Sequence, residues 1–159
     1  ADFPVDLRVI GLELLVGDRP VHKIGAGNLT EQAAFLEDHV WAVLATGRKD
    51  GSPQISMIGY AWDGTSILVS IKSYTAKWSN ALRQPRVALL VHEGRKQLVI
   101  YGRAQAIAAD PERLEISRKV FERLSGKPVD APDDAFREML DGQQRTVLRI
   151  TPESAAMND

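Results

Sequence analysis

Two Asp-Gly pairs cut the first half of this chain into short apolar runs, and that pattern leaves few folds open. Trp41-Ala-Val-Leu-Ala-Thr46, Pro53 to Trp62 and Ser66 to Ile71 are separated by Lys49-Asp-Gly-Ser52 and Asp63-Gly64. Asp-Gly is the pair that tight hairpins favour, because the turn needs backbone of positive φ. Arg86 to His92 and Gln97 to Ala108 flank a further turn, Glu93-Gly-Arg-Lys96, and Thr146 to Ile150 gives a last run. Strands at such short spacing, joined by tight turns, predict an antiparallel barrel or sandwich and not a doubly wound sheet.

The remaining segments read as helices and one arm. Thr30 to Asp38 has Thr30 as N-cap and acid in its first turn. Tyr74 to Arg83 is a short helix. Asp110 and Pro111 open a helix to about Leu124, with Asp110 as N-cap and Pro111 first in the helix. Leu114, Ile116, Val120, Phe121 and Leu124 recur on a helical period, while Glu112, Arg113, Glu115, Arg118, Lys119, Glu122 and Arg123 form a solvated face of mixed sign. Ala135 to Leu140 is a further short helix. Residues 1–28 form an N-terminal arm, with an apolar stretch from Leu12 to Val16 and a flexible loop, Gly25-Ala-Gly-Asn28; residues 29–159 form one domain. Trp41, Trp62 and Trp78 are expected in the core and hairpins.

Composition excludes several function classes. The 159 residues carry a net charge of -1, which favours neither nucleic acid nor an anionic membrane surface. With no cysteine there is no disulfide, thiol catalysis or thiolate metal site. His22, His39 and His92 share no ligand spacing, so no metal is expected, and no Gly-x-Ser-x-Gly elbow marks a hydrolase. The start, Ala1-Asp-Phe-Pro, lacks both an initiator Met and the layout of a signal peptide, so we expect a processed, cytoplasmic protein.

The segment Ser66 to Val91 carries the functional signal. A helix start holds unpaired N–H groups and a partial positive charge, and normally attracts Asp or Glu. Here Lys72 and Lys77 bracket the start, and the segment contains no acid. Cations facing a positive helix end imply an anion between them, typically a phosphate.

Three stretches in this order resemble the FMN-binding split barrel of pyridoxamine 5'-phosphate oxidase and its relatives. They are Ala45 to Ile58, Ser70 to Lys77 with Asn80 to Val91, and Arg95 to Ala104, together spanning roughly residues 30 to 150. The resemblance implies a mainly β fold with flanking helices, a six-stranded antiparallel Greek-key split barrel, working as a homodimer. It implies that the backbone of Ser56, Met57 and Ile58 edges the flavin ring, that Ser70, Ile71 and Lys72 form the facing strand, and that Thr75 and Lys77 hold the cofactor phosphate. Gln97 resembles the glutamine that reaches the flavin of the other subunit.

The departures narrow the expectation. Ala76 replaces the arginine that usually precedes the phosphate lysine. The C-terminal Arg-Leu-x-Pro segment that grips substrate phosphate in pyridoxamine 5'-phosphate oxidase itself is not matched by Arg149-Ile-Thr-Pro-Glu-Ser-Ala-Ala-Met-Asn-Asp159. Thr75, Lys77, Asn80 and Leu82 instead resemble the actinobacterial branch that uses FMN or the deazaflavin coenzyme F-420. The expected activity is hydride transfer between that cofactor and a small organic substrate, with Tyr60, Tyr74 or Tyr101 as possible proton donors and Arg83, Arg86 and Lys49 as possible contacts for an acidic cofactor tail. Two other readings compete: a non-catalytic module that binds flavin or haem, and an arm at residues 1–28 that engages a partner protein and does not pack across the homodimer.

Overall fold

Every strand of the computed structural model belongs to one antiparallel sheet; the structure describes residues 14–16, 19–22 and 31–158. The proposed N-cap Thr30, the loop Gly25 to Asn28 and residues Leu12 and Glu13 of the arm lie outside them. Strands β1 (Leu14–Val16), β2 (Arg19–His22), β3 (Trp41–Gly47), β4 (Pro53–Gly59), β5 (Ala61–Trp62), β6 (Ile67–Lys72), β7 (Arg86–Glu93), β8 (Lys96–Ile107) and β9 (Arg145–Asn158) are joined through four helices. These are α1 (Glu31–Asp38), α2 (Ala76–Arg83), α3 (Glu112–Ser125) and α4 (Asp133–Gly142). The main path runs β1-β2-β9-β8-β7-β3-β4, and β6 pairs with β5 and with the first half of β9. The sheet curls until β6 stands beside β4, but these two share no ladder. That unpaired seam makes the fold a split, barrel-like half-barrel.

Nine strands therefore stand where six were expected among the described residues. The run Pro53 to Trp62 is broken at Tyr60, which is buried and donates its phenol hydrogen to Leu36 O at 2.8 Å. At the adjoining Gly59 a Cβ would lie 2.7 Å from the Leu124 methyls of α3. The chain there leaves β3 and continues as β5 against β6. The N-terminal segment adds β1 and β2, and Val21 and His22 of β2 pair with Ala156 and Ala155 of β9.

The last strand continues to Asn158, well past Ile150. It bulges at Glu153, since Tyr101 faces Ser154 while Gly102 faces Pro152. A bulge is one of the few places where a sheet admits proline, which lacks the ladder N–H.

Alternation puts Leu44, Ile58, Leu89, Val91, Leu98, Ile100 and Leu148 inside the curl. Helix α3 covers the outer side of β6 and β9, packing Ile116 and Val120 on Leu68, Ile107 and Val147. Each such fully buried side chain contributes about 1.5–3 kcal/mol over an exposed one. Helix α4 places Phe136 and Leu140 on Leu114.

Three local expectations are corrected. Asp110 does not cap α3: Pro111 holds the cap position, and the Asp110 carboxylate binds Arg113 Nε and Arg137 Nε, each at 2.9 Å. Arg113 is consequently buried rather than solvated, since Asp110 and Asp141 neutralise it. Trp41 is 57% exposed, because β3 turns Ala42, Leu44 and Thr46 inward and leaves Trp41, Val43 and Ala45 on the outer face.

Candidate functional site

Helix α2 starts without a cap. Thr75 sits at the cap position, yet its hydroxyl donates backwards to Lys72 O at 2.7 Å, and its N–H takes the same acceptor at 3.1 Å. The first N–H groups of the helix, those of Ala76, Lys77 and Trp78, therefore keep the orphan status of any helix start. Lys77 lies in this first turn with no carboxylate against it among the described residues. Trp78 anchors the helix by packing on the main core.

The strands bring a third cation that sequence spacing does not reveal. Lys72 at the end of β6 pairs directly with Arg145 at the start of β9. Like charges opposed on one sheet face repel, and among the described residues neither has a carboxylate partner. Arg145 instead donates to Gln143 Oε1 at 2.7 Å, reaches Ser70 Oγ at 3.5 Å and lies 5.2 Å from the Phe121 ring centroid. Lys72 Nζ stands 5.8 Å from the ring centroid of Tyr74. Ser73 N–H bonds to Gln144 O at 2.9 Å, which holds the start of β9 beside the approach to α2. Two opposed cations shortly before the helix, a lysine in its first turn and uncapped N–H groups are the kinds of group a phosphate dianion takes.

The seam beside this cluster is lined by β4 on one side and β6 on the other. In the β3–β4 ladder the bonded pairs include Tyr60 with Val40 and Arg48 with Ser52. The antiparallel alternation then directs the main chains of Ser56 and Ile58 at β3 and that of Met57 at the open edge. Of the three residues expected to edge a ring, Met57 alone has free main-chain groups there. Its side chain is 60% exposed, Ser56 is half-buried and Ile58 is buried in the core. Ile71 is also a core residue, while Ser70 and Lys72 point to the outer side.

A chain of hydrogen bonds connects α2 with β4. Asn80 Nδ2 donates to Thr46 Oγ1 (3.2 Å), Thr46 Oγ1 to Gln54 Oε1 (2.9 Å), and Gln54 Nε2 to Ser56 Oγ (3.4 Å). Arg83, named above as a possible contact for an acidic cofactor tail, donates to Asn80 Oδ1 (3.0 Å) and to Gly47 O. Thr46 and Gln54 lie within the Ala45 to Ile58 stretch but were given no role there, because both act through register.

Gln97 is far from this cluster within one chain. It pairs with His92 and Asn158, whereas Ile107 at the other end of β8 pairs with Val147, the residue facing Ser70. Ten strand steps separate them, roughly 33 Å. Tyr60 is excluded as a proton donor: burial pushes its phenol pKa upward and its hydrogen is held by Leu36 O. Tyr74 and Tyr101 are exposed. His39 and His92 line a hollow of about 250 Å³ on the outer face with Trp41, Val43, Met57 and Leu90. No group of three or more His, Asp and Glu side chains able to hold a metal occurs among the described residues, and no helix there is long and apolar enough to cross a membrane.

The sequence model for pyridoxamine 5'-phosphate oxidase matches residues 29–159. The chain belongs to the pyridoxamine 5'-phosphate oxidase family. Solved structures of the family's fold superpose on it. A conserved hypothetical protein of Mycobacterium tuberculosis shares 25% identity over 83% of this chain and 84% of its own, with a TM-score of 0.72. An F-420 reductase shares 24% identity over 81% of this chain and 98% of its own, with a TM-score of 0.64. A haem-storage protein of Vibrio cholerae shares 21% over 76% and 86%, with a TM-score of 0.54. Below 25% identity the likeness is one of fold.

Proposed function

We propose that the protein is an oxidoreductase that binds FMN, or alternatively coenzyme F-420, and transfers hydride between it and a small organic substrate. The observation that carries this reading is the uncapped start of α2, with Lys77 in its first turn and Lys72, paired with Arg145, just ahead of it in the chain, and no carboxylate partner for any of the three among the described residues. These residues would hold the cofactor phosphate by charge-assisted hydrogen bonds. Thr75, whose hydroxyl hydrogen is committed to Lys72 O, shapes the turn that presents the N–H groups. The bound cofactor supplies the hydride chemistry; the chain orients the ring along the Met57 edge.

Two copies complete the site in this reading. Met57, Val43, Leu90, Val99 and Ala156 form one row across five strands on the outer face, where Trp41, Ile55, Met57 and Tyr101 are exposed. An apolar face of this kind marks an interface, and pairing it with a second copy would bring Gln97 to the other subunit's ring. Titration of the purified protein with FMN and with coenzyme F-420, followed by visible spectra, tests the cofactor; uptake of neither refutes it. The competing module reading draws on the hollow lined by His39 and His92, where His92 would be the ligand because the His39 ring is held by Phe35 O and the Glu93 carboxylate; imidazole ligates haem iron. Cofactor binding without reduction of an enone, quinone or tetrapyrrole panel would favour that module.

A further inference from the structure

The hydrogen bonds between α2 and β4 have a direction that can be read without seeing a single hydrogen. Arg83 can only donate, so the Asn80 oxygen receives it and the Asn80 amide hydrogen goes to Thr46 Oγ1. Thr46 then has one hydrogen left, which goes to Gln54 Oε1. The other end agrees independently: Gln54 Nε2 lies 3.2 Å from Ile55 O, which can only accept, so the nitrogen faces that side and also donates to Ser56 Oγ. Every link thus points from the guanidinium towards Ser56. Asn80 and Thr46 are 6% and 3% exposed, so water does not substitute for a broken link at the centre.

We infer that this relay makes Ser56 a committed hydrogen-bond donor to a planar heteroaromatic ring bound in the seam, with Thr46 and Asn80 as positioning residues. Ser56 Oγ already accepts from Gln54, and its own hydrogen has no acceptor among the described residues. It is half-exposed on the strand that borders the seam. The ring atom it serves is an acceptor that gains negative charge on reduction, so the bond is stronger in the reduced state. A charged donor at the head of the relay polarises each following bond in the same sense. The inference rests on the proposed cofactor reading and adds the residues that set the cofactor's poise.

The test is the midpoint potential and visible spectrum of the protein loaded with FMN, or with coenzyme F-420 if FMN is not taken up. Ser56→Ala is expected to shift the reduction equilibrium about tenfold towards the oxidised form, about 30 mV lower for a two-electron couple. Thr46→Val, which keeps Ser56 but breaks the relay, should shift it in the same direction by less. Thr46→Ser should restore the wild-type value, and the Ser56→Ala/Thr46→Val pair should shift no further than Ser56→Ala alone. A purely structural role for Thr46 would lower thermal stability without moving the potential. Bound cofactor with unmoved potentials overturns the relay and leaves the cofactor reading standing; failure of the wild type to take up either cofactor overturns both. If Thr46→Val does not fold, Gln54→Leu breaks the next link and is judged by the same potential.

Discussion

Replacing Lys72 by Gln is expected to have two opposite effects, and their combination is hard to obtain by any other route. Lys72 faces Arg145 directly across the β6–β9 ladder. In that geometry the Cβ atoms lie about 4.5–5.5 Å apart, and opposed like charges cost a few tenths to about 1 kcal/mol. Both heads lean aside, Lys72 towards Tyr74 and Arg145 over Phe121, which places the cost at the low end, about 0.2–0.5 kcal/mol. The protein without cofactor should therefore gain stability, and a chain of this length should melt about 0.5–2 °C higher. At 1 M salt, where the screening length is about 3 Å, the gain should vanish. Cofactor affinity should move the other way. One charge-assisted hydrogen bond is worth about 1.5–3 kcal/mol, so the Kd for FMN should rise about 10- to 100-fold. Differential scanning calorimetry at low and high salt, with and without FMN, reads both quantities. A lower melting temperature without cofactor, or an unchanged Kd, would refute the claim that this cationic pair exists to meet a phosphate.

Three further outcomes follow from the packing and charge of the fold. Gly102→Ala would place a Cβ 2.7 Å from Thr151 O at the β9 bulge, and since backbone cannot swing aside as a side chain can, urea unfolding should show a loss of about 1–3 kcal/mol. Tyr60→Phe removes the donor to Leu36 O in a fully buried position, and the same assay should show a loss of about 1–3 kcal/mol. For Asp110, hydrogen bonding from Arg113 is the largest influence; burial opposes it and Arg137 reinforces it, holding the carboxyl below its ordinary range. A depressed carboxyl stabilises the fold above the unfolded pKa and loses that contribution as pH falls through the folded one. Asp110→Asn should therefore destabilise at pH 7 and make little difference near pH 2; an equal loss at both would contradict the ion-pair account.

Much of the fold is legible in local sequence because hairpins are local. Asp50-Gly51 and Asp63-Gly64 set the turns, and Gly51 and Gly64 adopt φ of 84° and 95°, the backbone that such turns require. Periodicity likewise located α3, although its start was misjudged at Asp110, whose carboxylate found guanidinium partners on α3 and α4 in place of a helix N–H. Strand breaks were less visible. Nothing near Tyr60 marks the switch from β4 to β5, because its cause is Leu124 and Leu36, brought there by α3 and α1. The continuation of β9 through Thr151 to Asn158 was hidden by Pro152, which reads as a terminator unless the bulge opposite Gly102 is known.

For the site, the sequence by itself determined one thing firmly: a helix start bracketed by Lys72 and Lys77 with no acid between Ser66 and Val91. That is a property of adjacent residues, and no later packing can alter it. Tertiary structure decided the rest. It set Arg145 against Lys72, used the Thr75 hydroxyl on Lys72 O, and threaded Thr46 and Gln54 between Arg83 and Ser56. It also turned Trp41 and Met57 outward on β3 and β4. Alternation offers every strand two faces, and only the register and the elements packed against the sheet determine which becomes core and which is left for a ligand or a second copy.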